Sequence, residues 1–152
     1  MELIFIVWAE GEKERVMRMK GELESRLGLR CGVGYAGEAS PSKKKERLKA
    51  IDGCVILIYL FHAGQSMGAH PSDELRYADR GRKRIVFVSL DGCLAPSPFT
   101  RSYGGREVFD GSDIGALSAA VMGWLGMPVQ VENLYRTMGA DGLYQAGVDY
   151  YS

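Results

Sequence analysis

Apolar and polar positions follow two rhythms along this chain, and the switch between them sorts the elements. Three short runs are almost continuously apolar and rich in β-branched or aromatic residues: Leu3 to Trp8, Val55 to Phe61 and Arg84 to Leu90. Runs of this kind fit parallel strands covered on both faces. Between them the period becomes helical. From Gly11 to Leu27 the chain is rich in Glu, Lys, Arg and Met, and Val16, Met19 or Lys20, Leu23 and Leu27 fall on one face, with Gly28 as the stop. Leu29 to Tyr35 predicts a weaker strand, because Gly32 and Gly34 add backbone entropy and little packing. Ser40 as N-cap and Pro41 at the first helical position then open a helix in which Leu48 and Ile51 are the clearest apolar contacts.

The stretch from Cys54 to Gly92 organises the rest: a strand, a loop of small residues, a short helix beginning at Pro71 and Ser72, and a second strand. Gly92 to Gly105 reads as a loop that Phe99 and Tyr103 pin to the body, and Arg106 to Phe109 as a short edge strand. Ser112 or Asp113 caps a helix over Ile114 to Leu125, with Ile114, Leu117, Val121 and Trp124 or Leu125 as its apolar stripe, ended by Gly126 and Pro128. Strands alternating with helices at this spacing predict an α/β protein built on a doubly wound parallel sheet with right-handed crossovers. Residues 127–152 differ: Tyr135, Tyr144, Tyr150 and Tyr151 among Gly, Asp and Gln read as a C-terminal arm, packed on the domain or on a partner subunit.

The 152 residues suit one domain of about 1–126 plus this arm of 127–152. A formal net charge of zero supplies no overall attraction for nucleic acid or an anionic membrane, so neither is an expected partner. No apolar run is long enough for a bilayer, and MELIFIVWAEGEKE lacks the basic region and cleavage site of a signal peptide, which makes cytoplasmic the expected location. Cys31, Cys54 and Cys93 stand at wide spacings without C-x-x-C, the pattern of buried free thiols and not of a zinc site or disulfide framework. The run Lys43, Lys44, Lys45 reads as a solvated helix face.

In open α/β sheets ligands bind at the carboxyl ends of the strands, which directs attention to the loop and helix after Val55 to Phe61. Glu74 lies there, in the first helical turn. It reads either as an ordinary helix-start acid favoured by the macrodipole, or as a carboxylate facing a cleft that stabilises positive charge on a sugar ring. Gly64, Ser66, Gly68 and Ala69 keep the preceding loop small and open. His62 and His70 flank that loop without a nearby Cys or Asp pair, so no metal is expected, and His70 reads as a ligand-contacting or gating side chain. Trp8 ends the first strand and Tyr35 the second; each either stacks on a bound ring or packs in the core. The chain has no G-x-G-x-x-G after its first strand, no G-x-x-x-x-G-K-[ST] and no G-x-S-x-G, which disfavours the standard dinucleotide fold, a P-loop and an α/β-hydrolase.

The order of these pieces resembles a TIR (Toll/interleukin-1 receptor-like) domain of the prokaryotic type. The matching parts are LIFIVWA, GYAGEASPSKKKERLKAIDGC, CVILIYLF, SMGAHPSDELRYA, RIVFVSL and REVFDGSDIGALSAAVMGWL, covering residues 1–126. The resemblance implies a flavodoxin-like, five-stranded parallel sheet with helices on both faces. It also implies that Glu74, the glutamate of the E-L pair, is catalytic in cleaving the nicotinamide–ribose bond of NAD+, as an NAD+ glycohydrolase or ADP-ribose cyclase in signalling or defence. NAD+ is then a substrate, no further cofactor is needed, and self-association is expected, with the loop around Tyr35 to Ser40 meeting a neighbour. Trp8, Tyr35, Ser66 and His70 become candidate substrate contacts. This chain departs from the family where a Ser-x-Trp-Cys run is replaced by Gly68, Ala69, His70 and Pro71, leaving Ser66 as the nearest serine. ELRYADRGRK also resembles, more distantly, nucleoside 2-deoxyribosyltransferase-like proteins, in which a glutamate acts on an N-glycosidic bond. The alternatives are that enzyme class, or a TIR-like interaction module with no activity.

Overall fold

The computed structural model describes residues 2–8, 13–37, 40–63, 72–92 and 108–126. Its chain divides into two compact units, Met1–Ser112 and Asp113–Ser152. The predicted arm of 127–152 and, beyond Gly92, the predicted loop of Gly92 to Gly105 lie outside the described residues.

The first unit carries β1 (Ile4–Trp8), α1 (Lys13–Leu27), β2 (Cys31–Tyr35), α2 (Pro41–Gly53), β3 (Ile56–Phe61), α3 (Ser72–Arg80), β4 (Arg84–Ser89) and β5 (Val108–Asp110). All strand pairs are parallel, in the order β2-β1-β3-β4-β5. The chain first steps from β1 to β2 on one side, then crosses back to β3 on the other. With right-handed crossovers, that reversal sends α1 to one face and α2 and α3 to the opposite face. It also makes the carboxyl ends of β1 and β3 the topological switch point, the place where open α/β sheets bind ligands.

Both faces of the central strands are buried, which is why their sequences show no polar alternation. On the α2–α3 face, Phe5 and Val7 of β1, Leu57, Tyr59 and Phe61 of β3, and Ile85 and Phe87 of β4 form one core with Ile51, Leu75 and Ala78 from the two helices. Tyr59 lies at its centre, 5.9 Å from the Phe61 ring and 6.0 Å from Phe87 between centroids. The alternate strand residues, Ile4, Ile6, Ile56, Ile58, Leu60, Val86 and Val88, are buried as well, and α1 buries the predicted stripe of Val16, Met19, Leu23 and Leu27.

β2 is the edge strand next to β1, and its two glycines have a packing reason that entropy alone does not reveal. A Cβ on Gly34 would stand 2.5 Å from Phe5 Cζ and 3.0 Å from Arg47 Cγ; one on Gly32 would meet Phe5 Cδ1 at 3.0 Å. Helix α2 starts at Pro41 as expected, but Ser40 does not cap it through its side chain. Its hydroxyl is paired with the Ser42 hydroxyl at 2.9 Å instead. Burial pushes the Cys31 thiol up to about 12 and the Cys54 thiol up to about 11, the condition of inert core cysteines.

In the second unit, α4 (Ile114–Leu125) is capped by Asp113, whose carboxylate accepts from the Ala116 N–H at 3.1 Å, and ends at Gly126 in the left-handed conformation. Its buried stripe is Ile114, Leu117, Ser118, Val121 and Met122. Of Trp124 or Leu125, one of which was expected to extend that stripe, neither is more than partly buried. No helix among the described residues is long and apolar enough to cross a membrane.

Candidate functional site

Helix α3 begins Ser72-Asp73-Glu74, and the two acids have opposite fates. Successive residues on a helix are about 100° apart, so one can face solvent while its neighbour faces a packed seam. Asp73 is exposed. It pairs with Lys44 of α2 and, at 3.5 Å, with Arg76, and these contacts hold its carboxyl below the ordinary range, the Lys44 hydrogen bond foremost. Glu74 is 5% exposed. Its Oε1 accepts a hydrogen bond from Arg47 Nε at 3.0 Å.

Arg47 is the residue that sequence reasoning missed. It lies four positions before Ile51, on the same face of α2, and is 6% exposed. That i, i+4 relation to a core residue was the available signal; the neighbouring lysine run obscured it. From α2 its stem passes over Gly34, and its Nη1 donates to the Tyr35 carbonyl oxygen at 3.0 Å. The guanidinium therefore joins three elements: α2 that carries it, the carboxyl end of β2, and the first turn of α3.

Trp8 and Tyr35 meet at the same end of the sheet, in register as β1 and β2 partners, with ring centroids 5.3 Å apart. Trp8 is 4% exposed and Tyr35 44% exposed, so only the tyrosine offers a ring to solvent. The Ala36 N–H donates to the Trp8 carbonyl at 2.7 Å, fastening the two strand ends. Strand alternation puts the Trp8 and Tyr35 side chains on the face opposite Phe5, Val7 and Gly34, whereas Glu74 and Arg47 belong to the α2–α3 side. The two groups are joined through the Tyr35 carbonyl. Ser66 and His70, the other candidate contacts, lie outside the described residues.

At the carboxyl end of β3, His62 Nε2 is buried without a hydrogen-bond partner among the described residues. Next to it the Ala63 N–H donates to Asp91 Oδ2 at 2.9 Å. A pocket of about 250 Å³ opens on the outer side of Arg47, with Phe5, Gly34, Tyr35 and Lys43 in its wall. A larger described pocket, about 750 Å³, lies at the opposite end of β2. There Glu24 pairs with Lys20 at 3.1 Å and accepts the Cys31 N–H at 2.8 Å, so its polar groups are engaged in holding α1 to β2 and it is remote from Glu74. Among the described residues no three metal-ligating side chains cluster.

No protein-family model matches the chain, and no curated protein matches it. Among solved structures, the flavodoxin-like domain of a Synechococcus sp. protein superposes with a TM-score of 0.54 at 12% identity, over 81% of this chain and 98% of that one. The CMP N-glycosidase BcmB of Clostridium botulinum gives a TM-score of 0.49 at 17% identity, over 77% and 97% of the two chains. Strand order and the first of these likenesses define the class: a flavodoxin-like α/β fold with a five-stranded parallel sheet. At such identities similarity speaks of fold alone, and the chemistry rests on this chain's own residues.

Proposed function

We propose that this protein cleaves the N-glycosidic bond of a nucleotide, with NAD+ as the substrate and Glu74 as the catalytic carboxylate. The observation that carries this reading is the burial of Glu74 against Arg47 at the carboxyl end of the sheet. An acid serving only the helix N-terminus gains its favourable dipole interaction while remaining in water, and Asp73 already fills that role. Taking a carboxylate and a guanidinium out of water costs several kcal/mol each before their attraction is counted, so the pair is weak as a stability device. It is well suited to presenting a carboxylate in a fixed place.

The described contact engages Oε1 and leaves Oε2 to accept a ribose hydroxyl. As the bond from ribose C1′ to nitrogen breaks, its electron pair leaves with the base and positive charge spreads over C1′ and the ring oxygen. A carboxylate held beside the ring stabilises that oxocarbenium-like state. In NAD+ the pyridinium nitrogen accepts the pair and departs as neutral nicotinamide, so the leaving group needs no proton. Water then adds to C1′ and releases its proton, giving ADP-ribose; attack by an internal nucleophile gives the cyclic product. The resemblance of the E-L pair at Glu74 and Leu75 to prokaryotic TIR domains supports this substrate, and in the same reading the active form is a homo-oligomer.

The test is incubation of concentrated protein with NAD+, and separately with a 2′-deoxynucleoside, followed by chromatography of the released bases. Nicotinamide release that falls by about 10²–10³ in Glu74→Gln is the expected result. A folded wild type that releases base only from the deoxynucleoside overturns the NAD+ assignment. Release from neither overturns the glycosidic reading.

A further inference from the structure

We infer that Arg47 is the positioning residue of this site, fixing where the Glu74 carboxylate stands; the inference rests on the glycosidic reading above. Two acceptors from different elements define the plane of its guanidinium. Nε is bound to Glu74 Oε1 at 3.0 Å and Nη1 to the Tyr35 carbonyl at 3.0 Å. The Tyr35 oxygen is backbone at the end of a paired strand, so it is a rigid reference point, and the planar fork transmits its position to Oε1. The stem is equally constrained. It lies over Gly34, where even a methyl group would approach Cγ and Cδ to 3.0 and 3.1 Å, and no side chain of β2 competes for that space.

A second ion pair on the same seam shows what is particular about the first. Lys44, one turn earlier on α2, pairs with Asp73, but its side chain is 42% exposed and that of Asp73 55%. Such an outer pair clasps α2 to α3 with little net energy. The inner pair is 7% and 6% exposed, is fixed at both ends of the guanidinium, and acts on the residue that touches the substrate. A lysine at position 47 would keep the positive charge without the fork: its ammonium cannot hold Oε1 and the Tyr35 carbonyl in one fixed plane. Misplacing a reacting group by about 1 Å costs about a hundredfold in rate.

Arg47→Lys, Arg47→Ala and, as a control on the outer pair, Lys44→Ala are assayed on the substrate the wild type cleaves, with thermal unfolding of each recorded. Arg47→Lys is expected to remain folded and lose about a hundredfold in kcat, with KM changed by about threefold or less. Added guanidinium ion is expected to restore part of the kcat of Arg47→Ala and to leave Lys44→Ala unchanged. Wild-type kcat in Arg47→Lys, or in Arg47→Ala a loss matching its unfolded fraction and unmoved by guanidinium, overturns the role of Arg47 alone. A wild type inactive on every N-glycoside overturns the site and this role together.

Discussion

Replacing Glu74 and Arg47 by methionine, singly and together, tests the central geometry without reference to any substrate. Both side chains are at least nine-tenths buried, so solvent screening takes little from their interaction. Removing one member leaves the other as an uncompensated buried charge, at about 3–5 kcal/mol. Arg47→Met also strips the Tyr35 carbonyl of a donor, about 1 kcal/mol more. For a chain of this length each kcal/mol moves Tm by about 2–4 °C, so Glu74→Met lowers it by roughly 6–20 °C and Arg47→Met by roughly 8–24 °C. The double variant has no stranded charge, and two unbranched apolar side chains of similar reach fill the seam. Its loss should approach the Tyr35 term alone. The assay is urea unfolding of the four proteins, read as a double-mutant cycle. Coupling of about 2 kcal/mol or more, with the double variant more stable than the weaker single one, is the expected result. Losses that add within about 0.5 kcal/mol would show that the two groups do not meet in the native seam, and would remove the argument for a fixed carboxylate.

Two further measurements address the edge strand. Gly34→Ala forces a methyl group to 2.5 Å from Phe5 Cζ and should cost about 1–3 kcal/mol, whereas Gly21→Ala, on α1 with nothing within 4 Å of the new carbon, should stabilise by about 0.5–1 kcal/mol; equal effects in urea unfolding would contradict the packing at Gly34. At Glu24, burial raises the carboxyl, but the Cys31 N–H, Lys20 and Arg30 outweigh it and hold the group below its ordinary 4.5. A depressed carboxylate contributes stability that is present above its unfolded value and lost as pH falls through the folded one. Glu24→Gln should therefore be less stable than wild type at about pH 7, with the gap closing as pH falls below the ordinary carboxylate value and through the depressed folded one; a gap that does not change with pH would refute the assignment.

The architecture was legible because each element obeys one local rule. β1, β3 and β4 are apolar without alternation since both their faces are covered, and α1 shows its stripe every three or four residues because only one face is buried. The ends of α4 were nearly as readable, from Ser112 or Asp113, of which Asp113 is the cap, and from Gly126, because cap geometry depends on neighbours within a turn. Where long-range packing decides, the sequence misleads. Gly32 and Gly34 argue for a poor strand on entropy, yet they are the space into which Phe5 and Arg47 fit. Ser40 reads as a cap, yet its hydroxyl is taken by Ser42.

The site divides in the same way. Glu74 could be singled out from its place after a central strand, but not assigned, because Ser-Asp-Glu is also how a helix starts. What the structure adds is which of the adjacent acids faces the seam between α2 and α3, and that depends on how two helices distant in sequence pack. Lys44 and Arg47, three apart on α2, meet Asp73 and Glu74, adjacent on α3. One basic residue ends in water and the other in the core, though both belong to what looks along the chain like a single charged run. A charged run is normally a solvated face, and for Lys43 and Lys45 that holds. Arg47 escapes it because four residues later Ile51 fixes which side of α2 turns inward. The information was present as a phase relation, and its chemical meaning appears only when β2 supplies the Tyr35 carbonyl and α3 supplies the carboxylate.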